Sequence, residues 1–542
     1  MQTHPAHPLE TPELLGAILA YSSKKVVTSN LFLSKRWFSV GREILWKSLE
    51  NQSDFENLLS LLGELVDRSP GGSLYNRLNL DGYPQADKWK KFQEYSILIR
   101  SIHLPNLHSY AEACALISLN RPFLDLFPSL GTLHYNQGCD DNKLGLQYLP
   151  LFLQPSILRF SVRLPDLGVA QGYLCVIQVI ETIPKRMPHL VYLEITSRNL
   201  SVEALLTLHQ VVGDLQNLET LILPSYCVVG DIIDVLALHE RIREIKSKDI
   251  QGGGLHRRLV GAGRWGQPYL FPESYQALEF LTFCADAQSA TKFLEDPHFP
   301  SGIGGLHLEM PIRESASTVA SLFQIVQQTC PCLEDFRFSD AAFAPDPGSP
   351  HFLPYRTFVP ILSYPTLTVL HVHHHRALPW TEGQLMELAR SLPLIESLRL
   401  NESPLEAHVQ PSVPFPILLA FAQHCPNLKC LGLFLDASSP FVCEELGFFC
   451  FRVLQDLHLG LSPVSPERLE DVLVLLTRLL PSTCDIILSP EPSSSSTVWG
   501  EVVRLRDLFS RVQNRATQPT TTAITQTSTT QPMITIGVQA EE

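Results

Sequence analysis

A recurring apolar phrase constrains this chain more than any other feature of its sequence. From about residue 95 to residue 460 the chain returns to an apolar residue, two others, an apolar residue, one other and an apolar residue. Such units grow by stacking, so the length of 542 residues predicts one extended array rather than several globular domains. The phrases are separated by 24 to 36 residues and begin at thirteen positions: Ile99, Leu130, Ile157, Leu190, Leu218, Ile242, Leu278, Ile303, Leu333, Leu367, Ile395, Leu428 and Leu454.

Proline marks the start of many of these phrases. It stands two residues before the first apolar position in six of the thirteen: Pro128, Pro188, Pro331, Pro365, Pro393 and Pro426. Proline ends a helix and favours an extended start, and the alternation that follows turns two apolar side chains to one side of a short strand. Apolar residues at helical spacing fill the intervals, for example over 201–210, 314–328, 382–391 and 466–480. Each unit is therefore predicted to be strand, loop and helix.

Stacked repeats bury the apolar side chains that a single repeat would leave exposed to water. We expect Leu193 of one repeat to pack on Leu221 of the next, and so on along the array. An ordinary α/β or α+β domain that carries similar phrases by chance is the alternative that the pattern leaves open.

The phrases resemble those of the leucine-rich repeat family, as in Pro188–Ile195 (PHLVYLEI) and Pro426–Leu433 (PNLKCLGL). The resemblance implies a horseshoe with parallel strands on its concave side and helices outside. The family's usual Asn or Cys is replaced here, so the predicted solenoid is irregular; the replacing residues are Arg198, Tyr226, Asp286, Ala341, His375 and Asp436.

The first fifty residues have a different pattern. Leu14, Leu15, Ile18 and Leu19 fit one face of a helix that begins near Thr11 or Pro12. A second helix is predicted from Val26, Val27, Leu31 and Leu33, and an aromatic segment ending at Trp46 follows. The pattern predicts a small helical bundle that depends on a partner or on the solenoid for stability.

This bundle resembles the F-box family, in the fungal form that ends in a leucine-tryptophan pair and runs into irregular repeats. The matching segments are Pro8–Leu9, Pro12–Leu15 with Ile18, Leu33–Trp37 and Glu43–Trp46. The resemblance implies docking to the Skp adaptor of a cullin-type ubiquitin ligase, while the rest of the chain selects a protein substrate. The candidate adaptor contacts, each of which is alternatively part of the bundle's own core, are Leu14, Leu15, Ile18, Leu33, Trp37, Leu45 and Trp46.

The predicted fold is thus α/β, with a small helical F-box-like bundle followed by a curved leucine-rich-repeat solenoid. The predicted boundaries are 1–60 for the bundle and 61–488 for the solenoid. Residues 489–515 are expected to form a linker and an amphipathic helix, and the Thr- and Gln-rich residues 516–542 a disordered tail.

The net charge and composition of the chain indicate which kinds of binding partner to expect. A net charge of −14 disfavours nucleic acid and anionic membranes, because phosphate binding needs clustered Lys and Arg. The start of the chain lacks the basic and apolar regions of a secretory signal, so we expect a cytoplasmic or nuclear protein. A protein partner is favoured, and no cofactor or metal is predicted.

Chemical motifs are sparse. Residues 261–266 (GAGRWG) satisfy GxGxxG, but Pro268 and Pro272 make the required helix improbable, so a loop is favoured. His371, His373, His374 and His375 are expected to form a solvated patch, with metal binding as the alternative. GxSxG, HExxH and P-loop phrases are absent, which favours a non-catalytic protein; a catalytic site dispersed along the sequence is left open.

Alternation within the strands also predicts which side chains face a substrate. Those on the side away from the core are Glu194, Arg337, His371, His373, Arg399 and His458. The plain alternative is an ordinary solvated sheet face. The second functional hypothesis is a repeat scaffold without a ligase role, whose N-terminal helices merely cap the first repeat.

Overall fold

The computed structural model describes residues 11–68, 78–136, 143–165, 173–248, 265–340, 352–404, 411–441, 449–489 and 494–517. Pro8, Leu9, Ala341, residues 261–264 of the glycine motif and residues 518–542 of the predicted tail lie outside these ranges.

One parallel sheet runs through the described chain. Fifteen strands lie side by side in chain order, and every neighbouring pair is parallel. Each of the thirteen predicted phrases forms a strand that begins two residues after its first apolar position. The predicted fold class, a solenoid of parallel strands with helices between them, is confirmed.

The strands and helices are numbered in chain order. The strands are β1 (Ser48–Leu49), β2 (Leu65–Asp67), β3 (Leu78–Leu80), β4 (Ser101–Leu104), β5 (Thr132–Asn136), β6 (Arg159–Arg163), β7 (Tyr192–Thr196), β8 (Thr220–Leu223), β9 (Glu244–Ser247), β10 (Phe280–Cys284), β11 (Gly305–Met310), β12 (Asp335–Asp340), β13 (Val369–His373), β14 (Ser397–Leu400), β15 (Cys430–Leu433), β16 (Asp456–Gly460) and β17 (Asp485–Leu488). Strands β2 and β3 pair with each other, antiparallel, and the other strands form the long sheet.

Helices alternate with these strands. They are α1 (Pro12–Ala20), α2 (Lys24–Asn30), α3 (Lys35–Lys47), α4 (Gln52–Leu59), α5 (Ala86–Ser96), α6 (Ala111–Asn120), α7 (Tyr173–Arg186), α8 (Val202–Asp214), α9 (Gly230–Leu236), α10 (Ala287–Leu294), α11 (Ala316–Thr329), α12 (Val359–Leu362), α13 (Glu382–Ser391), α14 (Leu418–His424), α15 (Leu469–Leu479) and α16 (Ser494–Thr517). Short 3-10 helices lie at Leu107–Tyr110, Lys143–Leu151, Ser225–Cys227, Tyr355–Thr357, Phe415–Ile417 and Pro466–Arg468.

Main-chain hydrogen bonds join each repeat to the next in the same way. The carbonyl of the residue after the first apolar position accepts two N–H groups from the following repeat. The Val191 oxygen, for example, accepts from the nitrogens of Glu219 at 2.8 Å and Thr220 at 3.1 Å. The same paired bonds recur at twelve successive carbonyls, from Arg100 to Lys429, at 2.7–3.1 Å. We call this series the carbonyl ladder. It depends only on the backbone, so the side chains at these positions are free to vary.

The apolar positions of the phrases form one continuous core. Leu193 and Leu221 are register partners in β7 and β8, and both are fully buried. The same cluster contains buried side chains of the helices, such as Leu208 of α8 and Val326 of α11. Burying one Leu or Ile side chain contributes about 1.5–3 kcal/mol, so stacking of the repeats stabilises the whole array.

The prolines before the strands lie in tight turns. Pro188 follows Met187, whose carbonyl accepts the N–H of Leu190 at 3.3 Å. Proline is favoured at the second position of such a turn, where its fixed φ fits and its missing N–H is not needed. The corresponding bond is present before Leu130, Leu367, Ile395 and Leu428.

Side-chain caps begin several of the predicted helices. Ser201 accepts the N–H of Ala204 at the start of α8, and Ser315 accepts that of Thr318 at the start of α11. Thr381 and Gln384 form a reciprocal capping box at the start of α13. These caps satisfy N–H groups that the first helical turn leaves without partners.

The two ends of the sheet are covered differently. At the N-terminal end, α1, α2 and α3 enclose a small separate core of Leu15, Leu19 and Val27, and α3 runs directly into β1. At the C-terminal end, α16 covers the last repeat: Trp499 donates to the carbonyl of Ser462 at 2.8 Å, and Arg506 to that of Cys484 at 2.8 Å. No helix within the described ranges is long and apolar enough to cross a membrane.

Replacing Leu221 with Ala tests the shared core. The buried side chain is lost from the centre of the array, so we expect the free energy of unfolding to fall by about 2–5 kcal/mol. The adjacent Ile222 faces away from the core and is only half-buried, so Ile222→Ala is the matched control, with an expected loss of roughly 1 kcal/mol or less. Urea denaturation followed by circular dichroism gives both values, and equal losses would contradict the assignment of the two faces.

Candidate functional site

A single row of side chains crosses the side of the sheet opposite the helices, which we call the open face. Strand register aligns one residue from each of thirteen strands. In chain order, the row consists of His103, His134, Ser161, Glu194, Ile222, Lys246, Thr282, His307, Arg337, His371, Arg399, Gly432 and His458. We call it the central row.

The predicted substrate-facing residues belong to this surface. Glu194, Arg337, His371, Arg399 and His458 all lie in the central row. His373 lies on the same face two residues further along β13, where it is exposed. Arg337, His371 and Arg399 lie on neighbouring strands, whereas Glu194 lies five strands away from Arg337 on the same face. The contact of these residues with a substrate stays a prediction.

Glu194 is the centre of a polar cluster near the N-terminal end of the row. Its carboxylate accepts hydrogen bonds from Ser161 at 3.0 Å and Tyr192 at 2.9 Å, and it forms an ion pair with Lys248. Burial opposes ionisation, but the bonds from Lys248 and Tyr192 outweigh it and hold the pKa of Glu194 below its ordinary value. Arg159 lies over the Tyr192 ring at 4.0 Å. Glu194 is therefore a fixed negative charge.

Two histidines lie beside this cluster. The rings of His103 and His134 are 4.3 Å apart between centroids. Burial, and then the neighbouring His103, lower the pKa of His134. Both rings line a shallow cavity together with Arg163, Glu194 and Lys248. The cavity offers donors and acceptors of both charges within one small area.

Arginines dominate the second half of the row. Arg337 makes a bidentate pair with Asp335, at 2.9 and 2.7 Å, and its guanidinium lies 5.5 Å from the centre of the Phe280 ring. Arg399 donates to the carboxylate of Glu402 at 2.9 Å. The bidentate geometry of the Arg337 pair fixes the orientation of its guanidinium as well as the distance.

His371 lies between these two arginines. Its Nε2 is 2.8 Å from the hydroxyl of Ser397. Burial, reinforced by the positive charges of Arg337 and Arg399, lowers the pKa of His371 to about 3. The ring is therefore neutral throughout the physiological range and acts as a hydrogen-bonding group.

The expected solvated histidine patch is wrong for two of its four members. His374 and His375 are buried, at 4% and 2% exposure, and both approach the carboxylate of Asp340. The prediction extended the alternation of a strand to all four histidines, but β13 ends at His373. Side chains beyond that residue no longer alternate between the two faces of the sheet. The carboxylate comes from the preceding repeat, so its proximity could not be predicted from local spacing.

The same reasoning missed several residues of the open face. Alternation along β4 and β5 would have found His103 and His134, had it been applied to those strands. Glu402 and Lys248 lie just beyond the ends of their strands, where the side-chain period no longer holds. No local sequence signal identifies such residues.

The N-terminal helices present a second candidate surface. Leu14 and Ile18 lie one turn apart on α1 and are 50% and 47% exposed, and Leu33, before α3, is 63% exposed. Four more apolar residues of this module are exposed and were not among the candidate contacts: Tyr21, Val26, Phe32 and Phe38. We call these seven side chains the apolar surface. Exposed apolar side chains are typical of interaction sites where they form a contiguous patch.

The other predicted adaptor contacts lie inward. Leu15 is fully buried in the small core, and Trp37 and Leu45 pack against that core. Trp46 packs against the solenoid core, with its ring 4.8 Å from that of Tyr95. Leu15 therefore lies in the bundle's own core, which was the alternative interpretation of this residue.

Two solved structures resemble this chain at low sequence identity. No family model matches this chain, and no curated protein matches it. The structure of a Rad7 and Elc1 complex in yeast is similar at 13% identity, with 82% of this chain and 98% of that chain covered and a TM-score of 0.38. The structure of a TLR13–ssRNA13 complex is similar at 14% identity over 78% of this chain and 56% of that chain, with a TM-score of 0.27. The fold is established by the pairing of the strands themselves.

The low pKa of His371 predicts a pH dependence of stability. Below pH about 6.5 the unfolded chain binds a proton at His371 that the folded chain does not bind, so stability falls as the pH falls toward 3. The variant His371→Gln lacks this proton, so its stability is expected to fall less, by roughly 1–2 kcal/mol, between pH 6.5 and pH 5. Urea denaturation of both proteins at the two pH values measures this difference, and parallel pH profiles would contradict the prediction.

Proposed function

We propose that this chain is the F-box-type substrate-recognition subunit of a Skp/cullin ubiquitin ligase. In this proposal the helices α1–α3 bind a Skp-type adaptor, and the open face of the solenoid binds a protein substrate. The role is non-catalytic, because ubiquitin transfer would take place on other subunits.

The apolar surface is the observation that carries the proposal. The small core of Leu15, Leu19 and Val27 is complete without Leu14, Ile18 or Leu33, so these side chains are not needed to hold the bundle together. Helix-in-groove docking uses apolar residues three or four positions apart on one helix, which is the relation between Leu14 and Ile18. The sequence resemblance to the F-box family falls on the same helices.

The open face has the character of a protein-binding surface. The central row contains five histidines, three basic residues and one carboxylate, Glu194, and its arginines are held by carboxylates of their own repeats. Fixed charges of both signs give specificity and orientation to a protein partner. A repeat array presents such groups over a long surface, which suits an extended or large substrate.

A repeat scaffold without a ligase role is the second candidate. Its supporting observation is the contact between the module and the first repeat. Trp46 packs beside Tyr95, and the ammonium of Lys24 is 2.9 Å from the carboxylate of Asp54 and 3.3 Å from the carbonyl of Ser48. Helices that only cap the array would make these contacts and nothing else.

A triple variant on the apolar surface tests adaptor binding. Leu14→Ala, Ile18→Ala and Leu33→Ala together remove exposed side chains, so folding is retained while the affinity for a purified Skp-type adaptor falls at least tenfold. Isothermal titration calorimetry with the full-length protein measures the affinity. The matched control is Leu119→Ala, Leu206→Ala and Leu238→Ala, which removes three similarly exposed leucines from the solenoid. If the unaltered chain fails to bind the adaptor, or if both triple variants bind equally well, the ligase proposal is wrong. Substitution of Trp37 or Trp46 is less suitable, because both rings are partly buried in cores.

Adaptor binding by the intact chain separates the two candidates, and deletion of residues 1–47 tests the capping role. The scaffold hypothesis expects the shortened chain to aggregate, because the first repeat loses its cover, and expects no adaptor binding by the intact chain. The ligase proposal expects adaptor binding by the intact chain, whatever the solubility of the shortened one. Size-exclusion chromatography with and without adaptor gives both results.

A further inference from the structure

A buried cluster of one carboxylate and two imidazoles lies where three repeats meet. Asp340 is the last residue of β12, and His374 and His375 directly follow β13. The three residues are 5%, 4% and 2% exposed. One possible ligand atom from each lies within 4.8 Å of the others.

The third repeat holds the backbone of this cluster in place. Asn401, after β14, has a φ of 51°, a left-handed conformation that Asn tolerates better than most residues. Its side chain accepts the N–H of His374 at 3.1 Å and donates to the carbonyl of Arg376 at 2.6 Å. Its own N–H donates to the carbonyl of Val372 at 2.8 Å. The backbone on both sides of His375 is therefore held by the third repeat.

Three of the four ring nitrogens have protein neighbours, and His374 Nδ1 accepts the N–H of Arg376 at 3.1 Å. His375 Nδ1 makes a very short contact with a carboxylate oxygen of Asp340, and His374 Nε2 is 3.4 Å from the same oxygen. His375 Nε2 is buried and has no hydrogen-bond partner among the described residues. Buried polar atoms without partners are uncommon in folded proteins, and a bound ion or water is a frequent explanation.

We propose that Asp340, His374 and His375 form a binding site for a divalent transition-metal ion of the Zn²⁺ class. Imidazole nitrogen and carboxylate oxygen are ligands that Zn²⁺ takes in proteins. Two nitrogen ligands argue against Ca²⁺ and Mg²⁺, which prefer oxygen. Three protein ligands leave one position of a tetrahedral ion for water. The ion would join the β12 and β13 repeats, and this structural role is independent of the proposed ligase function.

The position of His375 within its repeat supports a structural role. In other repeats, polar residues at the same place hold the loop after the strand. Asp286 accepts the N–H of Ser289 at 2.9 Å, and Asp436 accepts that of Ser438 at 2.8 Å. His375 instead pairs with a carboxylate of the neighbouring repeat. In other repeats this position makes a hydrogen bond within its own repeat. A metal ion here would instead link two neighbouring repeats.

Zinc binding by the full-length protein tests the proposal. After removal of metal with a chelator and dialysis, the protein is titrated with ZnCl₂ against a competing zinc indicator, and bound zinc is counted by mass spectrometry. We expect one tightly bound Zn²⁺ in the unaltered chain that is weakened at least 100-fold in His374→Ala/His375→Ala and in Asp340→Asn. The matched control is His371→Ala/His458→Ala, which removes two histidines of the central row and is expected to keep the site.

Thermal unfolding supplies a second measurement that does not depend on the double variant being folded. Zn²⁺ that binds only the folded state raises the melting temperature. We expect this increase in the unaltered chain and in the control, and we expect it to be absent in Asp340→Asn. The proposal is overturned if the unaltered chain binds no stoichiometric zinc, or if Asp340→Asn binds zinc with unchanged affinity.

Discussion

The carbonyl ladder is the interaction on which the rest of the structure depends. One backbone oxygen in each repeat accepts two N–H groups of the next, and this pairing fixes the spacing and register of the strands. Register in turn decides which side chains face the helices and which face solvent, because successive residues of a strand point to opposite sides. The ladder tolerates many side chains, so the repeats can differ in length from 24 to 36 residues and still stack.

The same register creates the open face. With every strand aligned, one residue per repeat enters the central row, and charged groups of distant sequence position become neighbours. Arg337, His371 and Arg399 are separated by about thirty residues each along the chain, yet they are direct register partners. The strand register does not determine the packing of the bundle α1–α3, because its small core is separate from that of the solenoid. Two surfaces with different chemistry therefore lie on one chain, as the proposed role requires.

The sequence predicted the repeating part of this structure better than its exceptions. All thirteen phrases became strands, since a buried apolar triplet in stacked repeats leaves a periodic signal. In the long sheet, strands β1 and β17 were missed because Ser48–Leu49 is too short for a pattern and Asp485–Leu488 lacks the full phrase. The short strands β2 and β3 of the separate pair were not predicted either. On the open face, alternation placed Glu194 and Arg337 correctly, whereas Asp340, His374 and Glu402 lie where strands end and tertiary contacts decide. The seven apolar side chains of α1–α3 were only partly predicted, because a small core and a docking surface have similar composition.

Hydrogen–deuterium exchange of the full-length protein tests the carbonyl ladder most directly. If one backbone series joins all repeats, amides from β4 to β16 exchange slowly and with similar protection, while those of α1 and α2, which pack on a separate small core, exchange faster. The ladder amides, such as those of Glu219 and Thr220, should be among the slowest. Rapid exchange of these amides in several consecutive repeats, at rates typical of loops, would contradict the account.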